Sequence, residues 1–138
     1  NYAKPGYECR HNETYWFGEP YFAAGPGAAR FVNGYREVNH QSTTAYIRKA
    51  LNGQSVVAES ELVTGEGLHR EILIFALRRL DGITEEWFQQ KTGVTPMELA
   101  GKEIEMFIQQ GLMQRQDGRL SLTEQGLLVS DSLWPQLL

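Results

Sequence analysis

One cysteine, Cys9, occurs in 138 residues. A single thiol excludes an internal disulfide, a cysteine-based zinc site and a self-contained iron–sulfur cluster, which takes three or four thiolates. No apolar run approaches the roughly 18 residues that a membrane-spanning helix needs. Neither a basic leader followed by an apolar stretch nor a cleavage site is present, so nothing argues for secretion and a cytoplasmic address is expected. No phosphate loop, Ser–His–Asp grouping or paired-carboxylate site can be argued. His40 and His69 lack a metal-type ligand at i+4 and are expected at the surface or at helix ends. Repeats and low-complexity runs are absent, and no tyrosine follows Tyr46. There is no initiating Met, and the chain opens in the middle of a motif, so it is expected to be cut from something larger.

What remains is the composition of a soluble globular protein, 41% apolar and 22% charged, long enough for one domain with a core or a domain plus a fragment. Its charge is uneven: residues 1–60 carry six Lys/Arg against five Asp/Glu, whereas residues 61–138 carry seven against twelve, a net of −5. An acidic second half is a poor match for a phosphate backbone. The stretch from Asn52 to Gly67, with turn residues at both ends, is the natural junction.

In the first half, Tyr21 to Ala24 reads as a short buried strand stopped by Gly25-Pro26-Gly27. Asn33-Gly34 between Ala29–Val32 and Tyr35–Val38 reads as a two-residue hairpin, because Asn-Gly tolerates the positive φ angles of that turn. Ser42 or Thr43 caps a helix to Leu51, ended by Gly53. In the second half, Leu68, Ile72, Phe75, Ala76 and Leu80 fall on one helical face, widened by Leu73 and Leu77. Thr84-Glu85-Glu86 starts a second helix. Thr95-Pro96-Met97-Glu98 carries a capping box and starts a third, whose core face is Met97, Ala100, Ile104, Phe107 and Ile108. Gly111 stops it. A second hairpin turns at Asp117-Gly118, and Thr123 opens a last helix to about Trp134. The fold class is α+β, with a winged-helix-like, mostly helical second domain. A third helix in such folds presents cations to DNA bases, yet here Glu98, Lys102, Glu103 and Glu105 give a net of −2. A packing module is therefore favoured over nucleic-acid binding.

The most informative stretch is Asn1 to Trp16, above all His11-Asn12-Glu13-Thr14-Tyr15-Trp16. A histidine beside aromatic rings reads either as a hydrogen-bonded structural residue or as a ligand. Three features allow the second reading: Arg10 can meet a propionate, Tyr15 and Trp16 can flank a flat ring, and neutral imidazole is an axial ligand for heme iron. Cys9 can serve as a thiolate ligand, but beside His11 it is read as buried and inert. Gly25-Pro26-Gly27 is either a tight turn or a point where a ligand approaches the backbone closely.

This stretch, continued through Gly25-Pro26-Gly27-Ala28, resembles the segment that closes the catalytic barrel in the oxygen-independent coproporphyrinogen III oxidase family of radical S-adenosylmethionine proteins. Its His-Asn-x-x-Tyr-Trp form resembles the heme-chaperone branch. The resemblance covers essentially the whole chain, but only the last third or so of such a protein. It implies residues 1–60 as the end of an incomplete (β/α) barrel and residues 61–138 as the C-terminal domain that packs on it. It implies heme contact at His11, with Arg10, Tyr15 and Trp16 around it, and S-adenosylmethionine contact along Ala24, Gly25, Gly27 and Ala28. Ala29 stands where relatives often have histidine, a departure from the family pattern at that pocket. The intact protein would carry a four-iron cluster and S-adenosylmethionine, and would handle heme or porphyrin for delivery to acceptor proteins. The alternatives are a fragment of a coproporphyrinogen III oxidase, which turns propionate side chains into vinyl groups, and a standalone winged-helix module.

The single cysteine yields the first testable expectation. After anaerobic iron–sulfur reconstitution, this chain alone should produce no 5′-deoxyadenosine from S-adenosylmethionine; turnover with a four-iron absorption band would contradict it.

Overall fold

The computed structural model describes residues 3, 4 and 6–138. Asn1, Tyr2 and Pro5, which belong to the motif-bearing opening run, lie outside the described residues. The elements run α1 (Arg10–Trp16), β1 (Ala29–Val32), β2 (Tyr35–Asn39), α2 (Thr43–Leu51), β3 (Val57–Leu62), α3 (Gly65–Ala76), β4 (Ile83–Thr84), α4 (Glu85–Thr92), α5 (Pro96–Gln109), β5 (Met113–Gln116), β6 (Arg119–Leu122), α6 (Glu124–Leu128) and α7 (Ser130–Leu137). The mixed α+β class is as expected. The chain forms two compact units, one of residues up to Gly18 with Gly65–Leu138, the other Glu19–Thr64. That division differs from domains of 1–60 and 61–138. Residue 60 falls inside β3, which is paired to β2, and the helix of the opening run packs on α3.

In the larger unit, side chains of α3, α4, α5 and α7 close over a small antiparallel sheet of order β4-β6-β5. Leu73, Leu77, Phe88, Ile104, Phe107, Met113, Leu120 and Leu137 are its most deeply buried hydrophobic residues. The caps expected from sequence are formed. Thr84 Oγ1 accepts from the Trp87 amide at 3.2 Å, and Gly93 ends α4 with φ +82°. Thr95 Oγ1 accepts from the Glu98 amide at 3.2 Å while Glu98 accepts from the Thr95 amide at 2.7 Å, completing the capping box. The second hairpin turns through Asp117 and Gly118, both with positive φ.

Three expectations need correction here. The buried face of α3 holds Ile72 and Ala76, widened by Leu73 and Leu77 as expected, but not Phe75 or Leu80. The helix stops at Ala76 and turns through Arg78 and Arg79 to Gly82. Leu80 therefore leaves the helical period and is 57% exposed, Phe75 is at the surface, and Ile74 joins the core. The strand β4 was not expected, because two residues carry no readable alternation; Gly82 permits it, since a Cβ there would lie 2.1 Å from the Leu120 carbonyl oxygen. The last helix is two helices broken at Val129, and the second runs on to Leu137.

The third helix bends at Ala100, whose φ of −145° is not helical. Arg70 holds this bend: its guanidinium donates to the Leu99 carbonyl at 3.0 Å, to the Leu137 carbonyl at 2.8 Å and to Glu66 at 2.8 Å. The Leu137 carbonyl ends α7 and has no partner within its own helix, so the guanidinium meets a need of the backbone.

The smaller unit is a three-stranded antiparallel sheet, β1-β2-β3, with α2. The Asn33-Gly34 hairpin forms with φ of +53° and +80°. Ser42 caps α2, and Gly53 follows it with φ +64°. The expected strand at Tyr21 to Ala24 shrinks to one bridge, Tyr21 with Phe31. In the stretch read as a junction, β3 pairs along β2, and Glu59 and Glu61 mark its edge. A polar ladder crosses one face: Arg30 is ion-paired with Glu37, which accepts from Ser60 Oγ at 3.2 Å. Val63 is the unit's one buried hydrophobic residue among those described, whereas Phe22 and Leu51 are each 82% exposed.

Replacing Arg70 by Met should cost roughly 2 kcal/mol of unfolding free energy, because two carbonyls lose a charged donor. Urea titration of the variant against the parent measures this, and an unchanged midpoint and slope would contradict it.

Candidate functional site

A helix of seven residues is too short to hold itself, so packing shapes α1. Gly18 closes it with φ +60°, and the space left by its missing side chain admits Ile72, whose Cγ1 would lie 3.0 Å from a Cβ. Phe17 meets the Trp87 ring edge-to-face at 5.5 Å, and Arg79 lies 4.5 Å over the Phe17 ring. Arg79 also donates to Glu13 at 3.2 Å. These contacts anchor one face of α1.

Helical spacing then divides the expected heme set. Arg10 and His11 are exposed, and Tyr15 is half-buried one turn on from His11. The Tyr15 hydroxyl and His11 Nε2 are hydrogen-bonded at 3.2 Å, with the rings edge-to-face at 5.0 Å. Trp16 is on the opposite face, in line with Cys9, Asn12 and Glu13. The structure thus brings His11 and Tyr15 together and separates Trp16 from them, while Arg10, next to His11 in sequence, does not share their face, since neighbouring helix residues point apart. Cys9 is exposed, not buried, because it precedes the first helical turn.

On the Trp16 side is a cavity of about 430 Å³, lined by Tyr7, Cys9, Asn12, Glu13 and Trp16 and, opposite, by Arg78 to Asp81. Sequence reasoning missed this half of the site. Arg78 and Arg79 read as the polar end of a helix, and their partnership with α1 spans about sixty residues of chain. Arg79 grips Asp81 through two hydrogen bonds of 3.0 and 2.9 Å. That bond holds the Asp81 carboxyl below its ordinary value against the opposing effect of burial, and raises Arg79 in turn. Arg115 does the same for Glu85 at the start of α4.

Gly25 to Ala28 in the smaller unit form a turn that needs glycine: Gly25 has φ +99° and Gly27 +70°. The buried side chain of Asn39 donates to the Gly25 carbonyl at 3.0 Å, and the Gly25 amide donates to the Tyr46 hydroxyl at 3.3 Å. The Gly27 amide donates to the His40 carbonyl at 3.0 Å. Ala24 is exposed and Ala28 half-buried. Every one of these bonds is internal to the unit, as a tight turn requires. Among the described residues, no group of three or more His, Cys, Asp or Glu side chains is arranged to hold a metal ion.

Residues 63–129 match the family model described as the HemN C-terminal domain. The chain is 30% identical over 134 residues to a protein of Bacillus subtilis named heme chaperone HemW, covering 97% of this chain and 35% of that protein. A Mycobacterium tuberculosis protein of the same name is 30% identical over the whole chain and 33% of its own length. The chain carries the HemN C-terminal domain and resembles, over nearly its whole length, proteins named heme chaperone HemW. It spans about a third of the length of the curated relatives it matches. The fold is that of part of the Escherichia coli coproporphyrinogen III oxidase HemN, described as a radical SAM enzyme. The TM-score is 0.68 over 86% of this chain and 28% of that one, at 11% identity. The family match spans β4, α4 and α5 whole, together with Arg78 and Arg79 of the cavity.

The Arg79–Asp81 pair predicts acid sensitivity with a definite sign. A carboxylate whose folded pKa is depressed contributes stability above its unfolded value, roughly 4, and loses it as the pH falls through the folded value. The Asp81→Asn variant should therefore lose less stability than the parent between pH 5 and about 3. Denaturant midpoints across that range measure it, and parallel curves would contradict it.

Proposed function

We propose that this chain is the C-terminal part of a radical S-adenosylmethionine heme chaperone, whose intact form binds heme and passes it to acceptor proteins. The observation that carries the reading is the likeness, over almost the whole chain, to proteins named heme chaperones. The chemistry of α1 supports it. His11 is a solvent-exposed imidazole steered by Tyr15, and an exposed cation, Arg10, precedes it in sequence. These residues fit a heme approaching from solvent: imidazole supplies a nitrogen to iron, and Arg10 pairs with a propionate. Trp16 serves the other face of the helix, so it flanks this ring only if the heme reaches round α1.

Residues 1–60 are read as the closing part of a (β/α) barrel. Support comes from the Glu19–Thr64 unit, which makes up most of that stretch: among its described residues it buries one hydrophobic side chain, Val63, and exposes Phe22, Ile47 and Leu51, so it lacks a core of its own. In that barrel Ala24, Gly25, Gly27 and Ala28 would border S-adenosylmethionine through backbone groups. A four-iron cluster needs three thiolates and finds one cysteine here, so this chain by itself does not hold it. Residues 61–138 are read as a winged-helix-like cover that leaves nucleic acid alone. Of the two cations on its hairpin, Arg115 is bonded to Glu85 at 2.9 Å, and Arg119 donates to the Asp81 carbonyl at 2.8 Å. No described helix is long and apolar enough to cross a membrane, which is compatible with a cytoplasmic protein.

The test is a heme titration of the intact protein followed by Soret absorbance, with and without His11→Ala. The variant should lose the axial-ligand signature and bind about tenfold or more weakly, the size of one lost ligand interaction. An unchanged spectrum and affinity would make the histidine a structural partner of Tyr15.

A further inference from the structure

Two hollows of the larger unit meet at Arg78. The first is the cavity of about 430 Å³ beside α1. The second, of about 200 Å³, extends toward α6 and α7 and shares Trp16, Arg78 and Leu80 with the first. The charges of the larger hollow are mostly committed: Arg79 neutralises Glu13 and Asp81, and Glu8 accepts from the Gly6 amide at 3.1 Å. Arg78 is different. It is exposed, its guanidinium lies 5.6 Å from the ring centres of both Phe75 and Trp134, and it makes no ion pair among the described residues. In the smaller hollow it is the one charged side chain among the described lining residues. Apolar groups surround it, and Ser130 adds a hydroxyl.

A guanidinium held between aromatic rings, beside an apolar floor, is set up for a carboxylate carried on a flat apolar body. Arginine meets carboxylate through two parallel N–H donors, and the low dielectric of aromatic walls strengthens the pair. Leu80, pushed out of α3 by the early helix stop, and the half-buried Trp16 supply the surface for that body. The larger hollow has the size of a small-molecule site.

We propose that this paired hollow is a second contact site for the tetrapyrrole: the ring rests on Trp16 and Leu80, and a propionate is held by Arg78 and Ser130. The ring's identity rests on the heme-cargo reading. The site does not rest on His11, which is on the other face of α1. Iron-free porphyrin, which needs no axial ligand, is therefore the probe.

The experiment measures fluorescence anisotropy of protoporphyrin IX against the 138-residue chain. The parent should bind it, Arg78→Gln should weaken binding about tenfold, as expected for one charge-assisted pair, and Arg78→Lys should restore part of the loss. The dimethyl ester of the same porphyrin, lacking free carboxylates, should bind the parent as weakly as the free acid binds Arg78→Gln. Lys102→Gln, which removes an exposed cation outside both hollows, should leave all of this within twofold. Because Arg78 is exposed, circular dichroism of Arg78→Gln should match the parent. No binding by the parent, or equal binding by Arg78→Gln or by the ester, overturns the proposal. Heme ligation that depends on His11, alongside porphyrin binding that ignores Arg78, sinks this site and leaves the chaperone reading standing. Loss at Arg78 with no effect of His11→Ala on heme supports the site and removes the role given to the histidine.

Discussion

The guanidinium of Arg70 ties together three elements that also share the hydrophobic core. It leaves α3, reaches the carbonyl before the bend of α5, and reaches the last carbonyl of α7. Each acceptor is a backbone group left over where a helix bends or ends, and leaving such groups unbonded costs on the order of 1–3 kcal/mol apiece. The bend at Ala100 lets one helix start at a capping box on one side of the core and still deliver Ile104 and Phe107, both fully buried, to its centre. The hydrophobic core supplies most of the stability, but this arginine fixes which arrangement of helices the core adopts.

Much of the larger unit was legible because its signals are local. Thr84, Thr95, Gly111, Thr123 and the Asp117-Gly118 turn act within four residues, and each does what short-range chemistry requires. What escaped was decided at a distance. No periodicity announces that α3 ends at Ala76, since Leu77 and Leu80 continue the apolar pattern; the pairing of β4 to β6 ends the helix. Likewise β3 looks like a polar linker, because on an edge strand with five of six residues exposed the alternation of buried and solvated faces disappears. In the candidate site, the His11–Tyr15 pairing follows from helical spacing once α1 is known. The helix itself was unreadable, as were the arginines facing it from the α3–β4 turn. The fold class and family were legible throughout, the first from caps and hairpins, the second from a motif.

The two compact units are held together internally by opposite means. The larger buries a continuous cluster of aliphatic and aromatic side chains. The smaller relies on backbone pairing, on Asn39 threading its amide to the Gly25 carbonyl, and on the Arg30–Glu37–Ser60 ladder. Such polar networks specify register well but add little net stability at a surface. A sheet of that kind keeps its shape best when something else covers its apolar side chains.

The shortness of α1 has a consequence for the histidine it carries. Seven residues cannot sustain a helix in water, so His11 and Tyr15 stand one turn apart only while Phe17, Glu13 and Arg79 keep the opposite face in contact with the larger unit. The imidazole therefore reports on packing behind it. Any event that loosens Arg79 from Glu13 or Phe17 therefore also loosens the His11–Tyr15 pairing on the opposite face.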